Sequence, residues 1–154
     1  MTLEHYDLRD PQLLMDDLAR GTSLHDGDVW LALVLDPATR QRLREIRRLP
    51  APDHLDDEGR RAMSDLLYDT MHSLPIPPRG EHLRAVVVTV LVRPGFNVWG
   101  RLEKFWAMAW RYSNHNTDAL DTDIIVVTEH GWASLRSYDG GEAPRLTGEP
   151  RLAG

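Results

Sequence analysis

The run Arg84-Ala85-Val86-Val87-Val88-Thr89-Val90-Leu91-Val92-Arg93 is β-branched almost throughout and apolar on both alternating faces. A segment of this kind can be satisfied only as a central strand covered on both sides. The reading starts at His82 and stops at Arg93-Pro94-Gly95. From Leu102 the apolar residues fall at 102, 105, 106, 109 and 112, the spacing of a helix with one wide buried face, placed at 100–114. Residues 123–128 (Asp-Ile-Ile-Val-Val-Thr) form a second strand and Trp132 to Tyr138 a third, joined by a tight turn at Glu129-His130-Gly131. Strand, helix and strand in that order imply a βαβ unit with parallel strands, to which the hairpin adds an antiparallel neighbour.

Upstream, Leu13, Leu14 and Leu18 sit at helical spacing between Pro11 and Arg20, and Gly21 ends that helix. Residues 29–35 (Val-Trp-Leu-Ala-Leu-Val-Leu) form another apolar strand. Asp36-Pro37 pairs an N-cap residue with a proline suited to the first helical position, so a helix is expected from Pro37 to about Arg48. On it Arg40, Arg44, Arg47 and Arg48 share a face beside Leu43 and Ile46. A longer helix runs from Asp53 or Asp56 to His72 with Met63, Leu66, Leu67, Thr70 and Met71 inward. Leu74 to Gly80 is a proline-stiffened connector.

The expected fold is therefore α+β with α/β character: a single domain over 1–141 whose mixed sheet has about four strands, a βαβ unit and a C-terminal hairpin, with helices packed on it. Residues 142–154 have little to bury and are expected to form a flexible tail. At 154 residues one core is sufficient.

The chain has no cysteine, which excludes disulfides, thiolate metal sites and a cysteine nucleophile. The first residues lack a basic segment followed by an apolar one, and no apolar run approaches bilayer length, so a cytoplasmic protein is expected. Its basic residues are arginines apart from Lys104, a bias typical of a GC-rich bacterial genome. The net charge of −6 gives no global attraction to nucleic acid or to an anionic membrane. Nucleic-acid binding would have to rest on the Arg40–Arg48 face, which the acidic residues downstream partly neutralise.

Ligands of open α/β sheets gather beyond the carboxyl ends of parallel strands. If 29–35, 84–93 and 123–128 ran parallel, that rim would collect Asp36, Arg93, Glu129 and His130. A carboxylate, a guanidinium and an acid–imidazole pair suit general acid/base hydrolysis or, through Asp36, Glu129 and His130, a divalent ion. Each also has a plain role: helix cap, sheet-edge solvation and turn. A second polar group follows the aromatic helix, with Asn114, His115 and Asp118 followed by Asp121 and Asp123. It resembles a calcium loop only superficially, because Ala119 and Ile125 stand where glycine and a bidentate glutamate are required. This group leads into the amino end of 123–128 and so belongs to the opposite rim.

No nucleophile elbow, P-loop, dinucleotide-binding glycine triplet or H-E-x-x-H occurs. No cofactor or resident metal is named by any motif. Five tryptophans, at 30, 99, 106, 110 and 132, exceed what a core of this size requires. Trp99, Trp110, Tyr112 and Trp132 are expected to line a small-ligand pocket or a protein–protein surface. The leading expectation is thus an accessory or regulatory binding protein that acts through an aromatic surface near 99–113 and forms a homodimer or other homo-oligomer. The alternatives are the hydrolase and the nucleic-acid binder.

Overall fold

The computed structural model describes residues 6–80 and 83–151; Met1–His5, His82 at the expected start of the central strand, and the end of the expected tail at 152–154 lie outside the described residues. The elements are α1 (Pro11–Gly21), β1 (Val29–Leu35), β2 (Arg42–Leu49), α2 (Asp57–Ser73), β3 (Ala85–Val92), α3 (Arg101–Arg111), β4 (Ala119–Thr128), β5 (Gly131–Ser134) and β6 (Gly140–Gly141). The strands form one mixed sheet in the order β2-β1-β3-β4-β5-β6. The α+β class follows the hydrophobic pattern, although among the described residues the sheet has six strands rather than about four.

β3 is buried along its whole length, as its double-sided apolar sequence requires. Its alternate residues feed two cores. Ala85, Val87 and Leu91 pack with Leu67 and Met71 of α2 and with Phe105, Trp106, Ala109 and Trp110 of α3. Val86, Val88, Val90 and Val92 pack on the other face with Leu14, Met15 and Leu18 of α1. α1 and α2 both begin on a side-chain cap: Asp10 accepts from Leu13 N ahead of Pro11, and Asp56 accepts from Gly59 N. β3 and β4 pair in parallel around α3, which is the expected βαβ unit.

The expected helix at 37–48 is instead the edge strand β2. Asp36-Pro37 opens a hairpin turn, with Thr39 N and Gln41 N both donating to Asp36 O, and Asp36 and Gln41 taking positive φ. Asp and Pro at the first two places of a turn serve that geometry as readily as they cap a helix. The apolar spacing misled for a specific reason. Leu43 and Ile46 are three apart, as on a helix, because the β1–β2 register shifts between Leu33 and Val34; the extra residue of this irregularity returns both side chains to the α1 face. The arginines consequently line a sheet edge, where charge discourages pairing with other chains, and not a helix face.

β1 runs antiparallel to β3, not parallel as the rim argument assumed. Its hairpin with β2 makes β2, not β1, the strand that leads into α2 and β3. The third strand of the C-terminal half is also shorter than 132–138: the chain turns away after Ser134 and returns as β6. That return depends on glycine, since a Cβ on Gly131 would lie 2.0 Å from Gly141 O, and one on Gly141 would lie 2.5 Å from the Trp132 indole nitrogen.

Residues 142–151, the described part of the expected flexible tail, make bonds to β4 and to the segment between α1 and β1. Leu146 N donates to Thr128 O and Thr147 N to Leu24 O, and Arg151 Nε bonds Asp28 Oδ1 at 2.8 Å. Leu146 also packs on the α1-side core. No helix of the described residues is long and apolar enough to cross a membrane.

Candidate functional site

The antiparallel course of β1 separates the four residues of the expected acid/base rim. Asp36 follows β1 and meets the amino end of β3, where its backbone N–H donates to Arg84 O and its carboxylate accepts from Arg84 N and pairs with Arg42 at 3.4 Å. Arg93 lies beyond the other end of β3, nine residues or about 30 Å away at strand rise. Asp36 therefore does not join Arg93, Glu129 and His130. Among the described residues no group of three or more His, Asp or Glu side chains is placed to hold a metal ion.

The remaining three residues organise loops. Arg93 forks onto Glu103 of α3, with Nε 3.2 Å from each carboxylate oxygen, and also donates to Pro94 O and Val98 O. Glu129 accepts Gly95 N on both oxygens at 3.2 and 3.0 Å. Its own backbone N–H and that of Gly95 hold its carboxyl below the usual range. His130 lies 3.5 Å from Glu129 and stacks on Phe96 with centroids 6.0 Å apart. The bonds from Arg93 to Pro94 and Val98, from Gly95 to Glu129, and the Phe96–His130 stack grip the loop 94–100 between β3 and α3. Asn97 completes the grip by accepting the Thr128 hydroxyl hydrogen bond.

That loop is apolar and exposed. Phe96 is 75% exposed, Val98 62% and Trp99 45%. Of the other aromatic residues expected at a surface, Tyr112 is half-exposed, whereas Trp110 and Trp132 are interior. Trp110 is 5% exposed and donates to the Thr89 hydroxyl at 2.7 Å, which satisfies the one polar side chain of β3. Trp132 donates to Gln12 Oε1 at 3.0 Å.

The polar loop is built as a structural unit. Thr117 N donates to His115 Nδ1, which leaves Nε2 to donate to Asp121 Oδ1 at 2.9 Å. The imidazole meets Trp110 edge-on, 5.6 Å between centroids. Asp118 accepts Arg79 N, and Asn114 donates to Tyr112 O from a left-handed backbone. This loop occupies the amino end of β4, the rim opposite Glu129.

What the sequence did not disclose is a cleft between α3 and the amino half of β4. β5 pairs with β4 only over Ile125–Thr128, and Leu135 N adds a bond to Ile124 O, so residues 119–123 of β4 present an edge that no strand of the described residues pairs with. The cleft there encloses about 290 Å³ and is lined by Trp99, Ala107, Trp110, Asp121, Thr122, Asp123, Ile124, Leu135 and Arg136. Asp123 accepts the Ser134 hydroxyl at 2.6 Å and Arg136 N at 3.1 Å. Burial nevertheless pushes its carboxyl above the usual range, against the pull of those bonds. Thr122 Oγ1 is buried without a hydrogen-bond partner among the described residues. Arg136 is held by Asp7 at 2.9 Å. The cleft is thus lined by indole and aliphatic surface, two carboxyls and the Arg136 guanidinium that Asp7 engages, which suits a small planar ligand with N–H donors.

Trp99 and the two aspartates were visible as residue types, but only the short β5 exposes the edge that makes them neighbours. Glu103 and Ser134 carried no sequence signal beyond a polar residue inside an apolar pattern. Comparison with family models, with curated proteins and with solved structures found no match to this chain.

Proposed function

We propose that the chain is a binding protein whose working surface is the aromatic side of α3, with the Trp99 cleft as its ligand site. The observation that carries this reading is the half-exposed indole of Trp99 lining, together with Asp121 and Asp123, one cavity of ligand size. Indole faces attract planar and cationic groups, and carboxylates orient their donors. The separation of Asp36 from Arg93, Glu129 and His130, and the use of those three in holding the loop 94–100, favour binding over hydrolysis at that rim.

Titration with benzamidine and with tryptamine, followed by backbone amide shifts, tests the proposal. Saturable shifts confined to 99, 107, 110, 121–124 and 135–136, lost in Trp99→Ala and weakened in Asp121→Asn, are expected. Absence of saturable shifts for both probes, or binding indifferent to Trp99→Ala, would sink it.

A second reading is self-association through Phe96, Val98 and Trp99. Three large apolar exposures within four residues of a loop held by Arg93 and Glu129 favour it, because a rigid apolar ridge loses little entropy on docking.

A further inference from the structure

Arg60 and Arg61 of α2 and Arg101 and Lys104 of α3 line a single groove of about 430 Å³, together with Leu55, Asp56, Asp57, Phe105, Met108 and Tyr112. In a chain of net charge −6 this gathering of cations runs against the average. None of the four takes part in an ion pair among the described residues. Of the two carboxylates in the groove, Asp56 is engaged by Gly59 N as the cap of α2. Four cations against two carboxylates leave an excess positive charge that repels itself when the groove holds only water.

The groove also has a ring. Tyr112 is half-exposed at the end of α3, and the Arg60 guanidinium lies over it, 4.8 Å from the centroid. Arg60 is steadied there by its bond to Ser64 Oγ at 3.2 Å. Met108 adds an exposed, adaptable apolar surface one helical turn before Tyr112.

We propose that the α2–α3 groove binds a phosphorylated small molecule carrying a planar ring. Arg61, Arg101 and Lys104 take the phosphate oxygens, and the ring lies against Tyr112 and Met108. Arginine supplies paired donors that match phosphate geometry, and lysine adds a compact charge. The site is separate from the Trp99 cleft: the two are lined by different residues of α3 and share none.

Isothermal titration at low salt with ATP, tripolyphosphate, adenosine and a short oligo-dT decides the matter. ATP should bind saturably at one site and tripolyphosphate more weakly, while adenosine should give no heat. Tyr112→Ala should weaken ATP about tenfold, the loss expected of one stacked ring, and leave tripolyphosphate unchanged. Arg101→Gln combined with Lys104→Gln should abolish both phosphate ligands, and Arg61→Gln should weaken both; these side chains are exposed, so folding is retained and is checked by circular dichroism. Binding that survives the double substitution, or no saturable binding by ATP, overturns the proposal. Oligo-dT binding tighter than ATP, with a footprint extending beyond the groove, overturns it in favour of a nucleic-acid strand.

Discussion

Arg93 and Glu103 meet across the loop that opens α3, the guanidinium forking onto a carboxylate that is 0% exposed. The pair ties the end of the central strand to the first turn of the next helix. It thereby positions Phe96, Val98 and Trp99, the apolar ridge on which both functional readings depend.

Removing one partner of this pair should cost more than removing both. Arg93→Ala leaves the Glu103 carboxylate buried and uncompensated, and a loss of about 3–5 kcal/mol is expected. Combining Arg93→Leu with Glu103→Leu should recover much of it. Urea denaturation of the three proteins measures the difference, and equal losses in single and double variants would contradict the assignment.

Trp110 and the ridge should separate cleanly in experiment. Trp110→Ala removes a buried indole and its bond to Thr89, so about 3–5 kcal/mol of stability is lost while the mass in sedimentation does not change. Phe96→Ser with Val98→Ser should leave the melting temperature nearly unaltered and lower the apparent mass if the ridge associates. A wild-type protein that stays monomeric at high concentration would end the self-association reading.

Glycine is required at 131 for two reasons and at 27 for one. Both have positive φ, but a Cβ on Gly27 meets nothing within 4 Å whereas one on Gly131 strikes Gly141 O. Gly27→Ala should therefore cost about 1 kcal/mol, and Gly131→Ala clearly more. Thermal melts of the two variants test the order.

Two carboxyls should bend the pH dependence of stability in opposite directions. The folded-state value of Asp123 is raised by burial, so its contribution is complete below the ordinary carboxyl range and is lost as pH rises through the raised value. Asp123→Asn should flatten that fall. Glu129 is depressed by backbone donors, so its contribution is present above the ordinary range and is lost as pH falls through the lowered value. Glu129→Gln should flatten the acid limb instead. Denaturation midpoints from acid to neutral pH in each variant give the comparison.

Local chemistry was sufficient wherever one periodicity had no rival. The double-sided apolar run of β3 and the amphipathic stripe of α3 each specify an element from nearest-neighbour sterics and burial alone. Asp36-Pro37 and the Leu43–Ile46 spacing had two local solutions, helix or bulged hairpin. The choice between them fell to β1, whose apolar strand needed a hydrogen-bonding partner on its free edge. Strand direction was likewise a property of the whole sheet, because the β1–β2 hairpin consumes one reversal of the chain and sends Asp36 to the rim opposite Arg93. The Trp99 cleft and the cationic groove arise in the same way: each is space left between elements, set by where β5 stops and how α2 lies on α3, and the spacing of residues along one strand or helix does not encode such gaps.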